Sequence, residues 1–160
     1  DEMMTVLRES WTGGEVSHHG NFYQYRAYRQ TPAAVQGKNI PMLIGGHSQY
    51  AYRRAVTLGD GWIPTNLTPD EVATGIAVIT DVASEVGRDL EGFEVVVRPG
   101  MRHHPLSSGS AEAYEAAGAT TLLLEVGHRE ASGVEALVRE MRAVVDELPM
   151  LATVPGHEDD

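Results

Sequence analysis

Apolar residues at the start of the chain recur at helical spacing. Met3, Val6, Leu7 and Trp11 fall on one side of a helix predicted over 2–11, which Gly13-Gly14 stops. Residues 15–25 read as an irregular hairpin, and 26–36 as extended chain or loop interrupted by Pro32. From Pro41 the pattern changes. Pro41 to Ile44 is a short apolar run that reads as a buried strand, followed by Gly45-Gly46. A helix then runs from a Ser48 cap to Gly59, with Ala51, Ala55 and Leu58 facing inward. Trp62 to Pro64 is a second short strand.

Thr68-Pro69-Asp70-Glu71 is a capping box with proline at the first helical position. The helix it opens carries Val72, Ile76, Ile79, Val82 and Val86 on one stripe and ends at Gly87. A third strand spans Phe93 to Arg98. Its core, Val95-Val96-Val97, suits a strand covered on both faces, as in parallel sheets. A helix of barely two turns is expected over Ser110 to Ala117, a fourth strand over Thr120 to Val126, and a last helix through Val134, Leu137, Val138, Met141, Val144 and Leu148. The order is helix, hairpin, then about four parallel βα units with right-handed crossovers, an α/β fold. Residues 1–150 are expected to form the domain, with helix and hairpin at 1–36, and 151–160 a flexible tail.

The turn between the first parallel strand and its helix is the main candidate for chemistry. A strand that turns on glycines into a helix leaves main-chain N–H groups without intrahelical partners. Together with the helix dipole these suit an anion, commonly a phosphate. Gly45 and Gly46 carry no side chain to hold a ligand off, and Ser48 can add a hydroxyl. Many such turns bind nothing, so the spacing leaves both readings open.

The same segment resembles a known family. Pro41-Met42-Leu43-Ile44-Gly45-Gly46-His47-Ser48 is followed, after five residues, by Arg54-Ala55-Val56-Thr57-Leu58-Gly59-Asp60-Gly61-Trp62-Ile63-Pro64. This is similar to the central segment of the luciferase-like monooxygenases, in particular the branch using the 8-hydroxy-5-deazaflavin coenzyme F420. Glu9 to Gly13 with His19 to Tyr23 resembles the family's helix and hairpin, and Ala117 to Leu124 its late barrel strand. The resemblance implies a (β/α)8 TIM barrel. Such barrels take ~250 residues, whereas this chain has 160, and every matching segment falls in the second half. It therefore implies a C-terminal half-barrel. The family's catalytic carboxylate, histidine and tryptophan positions lie in the other half, so no residue here is assigned to catalysis. It further implies a phosphate cradle at Gly45, Gly46, His47 and Ser48, with Ala51 one turn on. The occupant would be F420 or, alternatively, FMN, and the reaction hydride transfer or oxygenation of a small organic substrate. One departure from the family lies at 103–117, where the helix is about two turns short, roughly 11 Å of reach.

Composition narrows the alternatives. There are 23 acidic and 12 basic residues, a formal charge of −11, with a single lysine, Lys38. That argues against nucleic acid and anionic membranes as partners. The absence of cysteine removes disulfides and thiolate chemistry. No apolar stretch approaches a membrane span and no leader pattern is visible, so a cytoplasmic location is expected. A four-stranded parallel sheet has two open edges, which predicts pairing with the missing N-terminal half or with a second copy of the chain. A non-catalytic half-barrel that binds no cofactor is the rival reading.

Other candidates carry blander readings beside the chemical ones. His47 is either a phosphate or ribityl contact or a solvent-facing loop residue. Ala51 reads better as packing. Arg53 and Arg54 fit surface ion pairs better than a phosphate clamp. Arg98 and Arg102, near Pro99-Gly100 at a strand's C-terminal end, fit rim salt bridges better than ligand contacts. Adjacent histidines at 18–19 and 103–104 point to opposite sides of an extended chain and make poor metal sites. Asp60 reads as a turn former, and Trp62 as core or rim packing.

Overall fold

A computed structural model describes residues 1–100 and 108–123, together with Glu135, Val138, Arg139 and Arg142. Helix α1 spans Glu2–Ser10, and strands β1 (Glu15–His19) and β2 (Gln24–Arg29) form an antiparallel hairpin whose register shifts between Val16 and His18. A 3-10 turn, Gly37–Asn39, precedes β3 (Leu43–Gly45). Then come α2 (Gln49–Leu58), β4 (Gly61–Ile63), α3 (Pro69–Val86), β5 (Glu94–Val97), α4 (Ser108–Ala116) and β6 (Thr121–Leu122). The last four strands make one parallel sheet in the order β3-β4-β5-β6. Val96 pairs with Thr121 and Val97 with Leu122, and a parallel bridge joins Thr65 to Arg98.

The chain divides into two compact units, Asp1–Trp62 with Val78–Phe93, and Ile63–Ala77 with Glu94–Asp160. In the first, Val6, Val16, Ala51, Tyr52, Ala55, Val56 and Trp62 are buried, and so are Ile79, Val82 and Ala83. In the second, Val72, Ala111 and Tyr114 are buried with all three valines of β5, as expected of a strand covered on both faces. The capping box forms. Glu71 accepts the Thr68 main-chain proton at 2.8 Å, and Thr68 Oγ1 accepts that of Glu71 at 3.3 Å. No helix among the described residues is long and apolar enough to cross a membrane.

Some local expectations are corrected. The first strand of the sheet starts at Leu43, not Pro41. Proline has no proton for a ladder, and that of Met42 goes to the Asp60 carboxylate at 2.7 Å. Leu43 and Ile44 are half-buried, in line with a terminal position in the sheet order. Of the stretch expected as extended chain or loop, Arg26 to Arg29 take the extended form and lengthen the hairpin as part of β2. On α1 the buried residues are Val6 and Ser10, while Leu7 stays 37% exposed. Ser10 is tolerated there because its hydroxyl donates to the Leu7 carbonyl at 2.9 Å. Val86, placed on the buried stripe of α3, is exposed. The helix at the departure from the family is short as expected, the nine residues of α4, whereas residues 103–107 before it, most of the expected last helix and the tail lie outside the described residues.

Candidate functional site

The site is built from the joint between β3 and α2. The strand ends at Gly45, and Gly46 takes a left-handed φ of 95° that reverses the chain. A Cβ placed there would stand 3.3 Å from that of Ala51, so the turn lies close against the first helical turn. Ser48 is extended (φ −91°, ψ 159°), and its Oγ accepts the Ala51 proton at 3.2 Å. Tyr52 then makes the first main-chain bond of the helix, to the Ser48 carbonyl at 3.0 Å. The amides of Gln49 and Tyr50 have no acceptor among the described residues, as the geometry of a helix start requires.

Of the five expected site residues, Gly45, Gly46, His47 and Ser48 form one continuous exposed stretch. Ala51 lies beneath them, 6% exposed, with its amide held by Ser48. It is packing under the turn. The Ser48 hydroxyl, having accepted one proton, keeps its own to donate outward. The surface around the turn adds Tyr50, whose ring is 82% exposed.

The arginines of α2 are engaged elsewhere. Arg53 pairs with Glu85 at 3.3 Å and Arg54 with Asp1 at 2.6 Å, both on the surface. Arg98 is half-buried; its main-chain N–H donates to the Pro64 carbonyl, and its carbonyl accepts from Asn66. Arg102 and the histidines at 103–104 lie outside the described residues. Of the other pair, His19 is exposed, and His18 turns inward to within 3.5 Å of Glu2, a partner the local sequence does not reveal. Among the described residues no three His, Cys, Asp or Glu side chains gather as a metal site.

Two residues, Asp60 and Trp62, make contacts here that the sequence did not reveal. Asp60 accepts both the Met42 amide and the Arg8 guanidinium, so it is a structural anchor and more than a turn former. Trp62 is fully buried, and its indole N–H donates to the Gly46 carbonyl at 2.8 Å. Tyr52 meets it edge to face, with ring centroids 5.3 Å apart. The available signal was that a buried indole N–H needs an acceptor, and the glycine turn sixteen residues earlier supplies one.

With this geometry in place, comparison with known proteins is informative. The family model for luciferase-like monooxygenases matches residues 1–144. The chain belongs to the luciferase-like monooxygenase family. An uncharacterized protein of Mycobacterium tuberculosis is 36% identical over 104 residues, 59% of this luciferase-like chain and 35% of the relative. The F420-dependent glucose-6-phosphate dehydrogenase of Microbacterium testaceum is 24% identical over 106 residues, 65% of this chain and 31% of that enzyme. The chain thus spans about a third of the length of these relatives. Among solved structures, an F420-dependent secondary alcohol dehydrogenase in complex with an F420-acetone adduct superposes with a TM-score of 0.63 at 13% identity. That match covers 77% of this chain and 54% of the other. The likeness is one of fold, and the luciferase-like enzymes it matches are TIM barrels.

Proposed function

We propose that this chain is the phosphate-holding half of a luciferase-like oxidoreductase that uses the deazaflavin F420, with FMN as the alternative occupant. The observation that carries the reading is the exposed Gly45-Gly46-His47-Ser48 turn, set on the N-terminus of α2 in a chain of this family. The residues fit a phosphate. The close packing of Gly46 on Ala51 leaves main chain, and no bulky side chain, at that point of the turn. The Gln49 and Tyr50 amides lack acceptors among the described residues, and the Ser48 hydroxyl has a proton to give. These groups bind and orient; they do not carry out chemistry on a substrate. When bound, the coenzyme supplies the hydride-carrying or oxygen-reactive ring. In this reading the rest of the coenzyme and substrate site would be supplied by an N-terminal half, or by a second copy of the chain, and the substrate is a small organic molecule. A cytoplasmic location accompanies the proposal.

The cradle would touch only the phosphate, which F420 and FMN share, so the test is phosphate dependence. Titration of the purified chain with FMN, F420 and riboflavin should give binding for the first two and at least tenfold weaker binding for riboflavin. Equal affinities for FMN and riboflavin, or no binding of any of the three, would overturn the proposal in favour of a half-barrel without a cofactor.

A further inference from the structure

We propose that Trp62 is a positioning residue for the anion cradle: by holding the Gly46 carbonyl it aims the His47 amide outward. The inference rests on the phosphate reading above and extends it to a residue with no access to ligand. In a planar trans peptide the carbonyl and the following N–H point in opposite directions. The indole takes the Gly46 oxygen at 2.8 Å from a fully buried position, which turns that oxygen into the protein. The His47 proton, on the far side of the same peptide, then faces away from Trp62, and it has no acceptor among the described residues.

The glycine makes this orientation accessible, and the tryptophan makes it single-valued. A φ of 95° is open to Gly46 at little cost, but a glycine peptide can also flip, exchanging an outward N–H for an outward carbonyl that would repel an anion. Burial of the indole penalises the flip, since it would strand the Trp62 N–H without an acceptor. Tyr52, packed edge-on against the ring and itself buried, limits the indole's own rotation. One buried hydrogen bond thereby selects the sign of the potential that the turn offers to solvent.

The test uses the full chain, inorganic phosphate as the probe, and amide NMR as the readout. In the native chain, the amides of His47, Gln49 and Tyr50 should shift together on phosphate addition, and the Trp62 indole proton should exchange slowly. In Trp62→Phe the His47 response should vanish and phosphate affinity should fall about tenfold, while Gln49 and Tyr50 still respond. Should Trp62→Phe fail to fold, β-(3-benzothienyl)alanine at position 62 keeps the ring shape and removes only the donor, and the same loss is expected. If the native response persists unchanged in a donor-free variant, the role of Trp62 is overturned and the cradle stands. If the native chain shows no response at any of the three amides, the cradle itself is lost, and the positioning role with it.

Discussion

The Asp60 carboxylate accepts the Met42 main-chain proton at 2.7 Å and, through the same oxygen, the Arg8 guanidinium at 2.5 Å. A residue just ahead of β4 thus fixes the entry to β3 and ties α1 to both. The ion pair is only partly shielded, with side-chain exposures of 28% and 38%, so it adds ~0–1 kcal/mol. The bond to the main chain matters more, because its loss leaves the Met42 amide without an acceptor. Asp60→Ala should cost about 1–3 kcal/mol. Asp60→Asn, which keeps a carbonyl oxygen, should cost less. Urea denaturation checks both, and an Asp60→Ala midpoint equal to that of the native chain would refute the anchor.

Glu2 clasps the tip of the hairpin. Its carboxylate accepts the amide protons of Asn21, Phe22 and Tyr23 at 2.7, 3.1 and 3.2 Å, and His18 lies alongside. Desolvation alone would raise its pKa. The hydrogen bonds from Phe22, Asn21 and Tyr23, with the His18 ring close by, outweigh this and hold it below the usual glutamate value. A depressed carboxyl stabilises the fold above its unfolded-state pKa, and that contribution fades as pH falls through the lower folded-state value. Hydrogen exchange should show the three tip amides protected at neutral pH and released in acid. In Glu2→Ala they should be unprotected at both.

What the chain disclosed in advance was local. The Ser48 cap, the Thr68–Glu71 box and the triple valine of β5 each depend on residues within a few positions, and the pattern places all three correctly. The contacts it hid join distant residues: Trp62 to Gly46, Glu2 to the hairpin tip, Arg8 to Asp60. Each pairs a polar group with a partner that only tertiary packing supplies, and hydrophobic periodicity carries no information about such pairs. Ser10 makes the same point. It is buried on α1 while Leu7 is exposed, because its hydroxyl finds a carbonyl within its own helix. The glycine turn and its Ser48 cap were therefore legible, and the partner that holds the Gly46 carbonyl was not.

Tyr114 supports the second unit through its phenol, which donates to the Leu67 carbonyl at 2.6 Å from a side chain only 1% exposed. Tyr114→Phe keeps the ring and leaves that carbonyl short of a donor, a loss of about 1 kcal/mol. Burial, reinforced by the Glu71 charge, pushes the phenol above the ordinary tyrosine value. A raised folded-state pKa gives stability that is whole below the unfolded-state value and is lost as pH rises toward the folded one. Tyr52 is raised by burial as well. Melting in alkaline buffer should therefore fall off above about pH 10, and less steeply in Tyr114→Phe than in the native chain. Identical alkaline slopes would assign the effect to Tyr52.

Ser48 stands at the meeting point of stability and proposed function, and the two can be separated by substitution. Ser48→Ala removes the acceptor for the Ala51 amide and should cost about 1 kcal/mol of stability. Ser48→Asp restores a cap, and its negative charge suits the helix start. On stability alone, aspartate should therefore match or exceed serine. A phosphate cradle reverses the order, because a carboxylate at the cap fills the positive end of α2 and repels a second anion. The expected ranking in a thermal melt is aspartate at least equal to serine and both above alanine. In FMN titration it is serine first, alanine reduced, and aspartate weakest. Agreement of the two rankings would mean that Ser48 serves the helix alone, whereas their inversion at aspartate ties the same oxygen to both tasks.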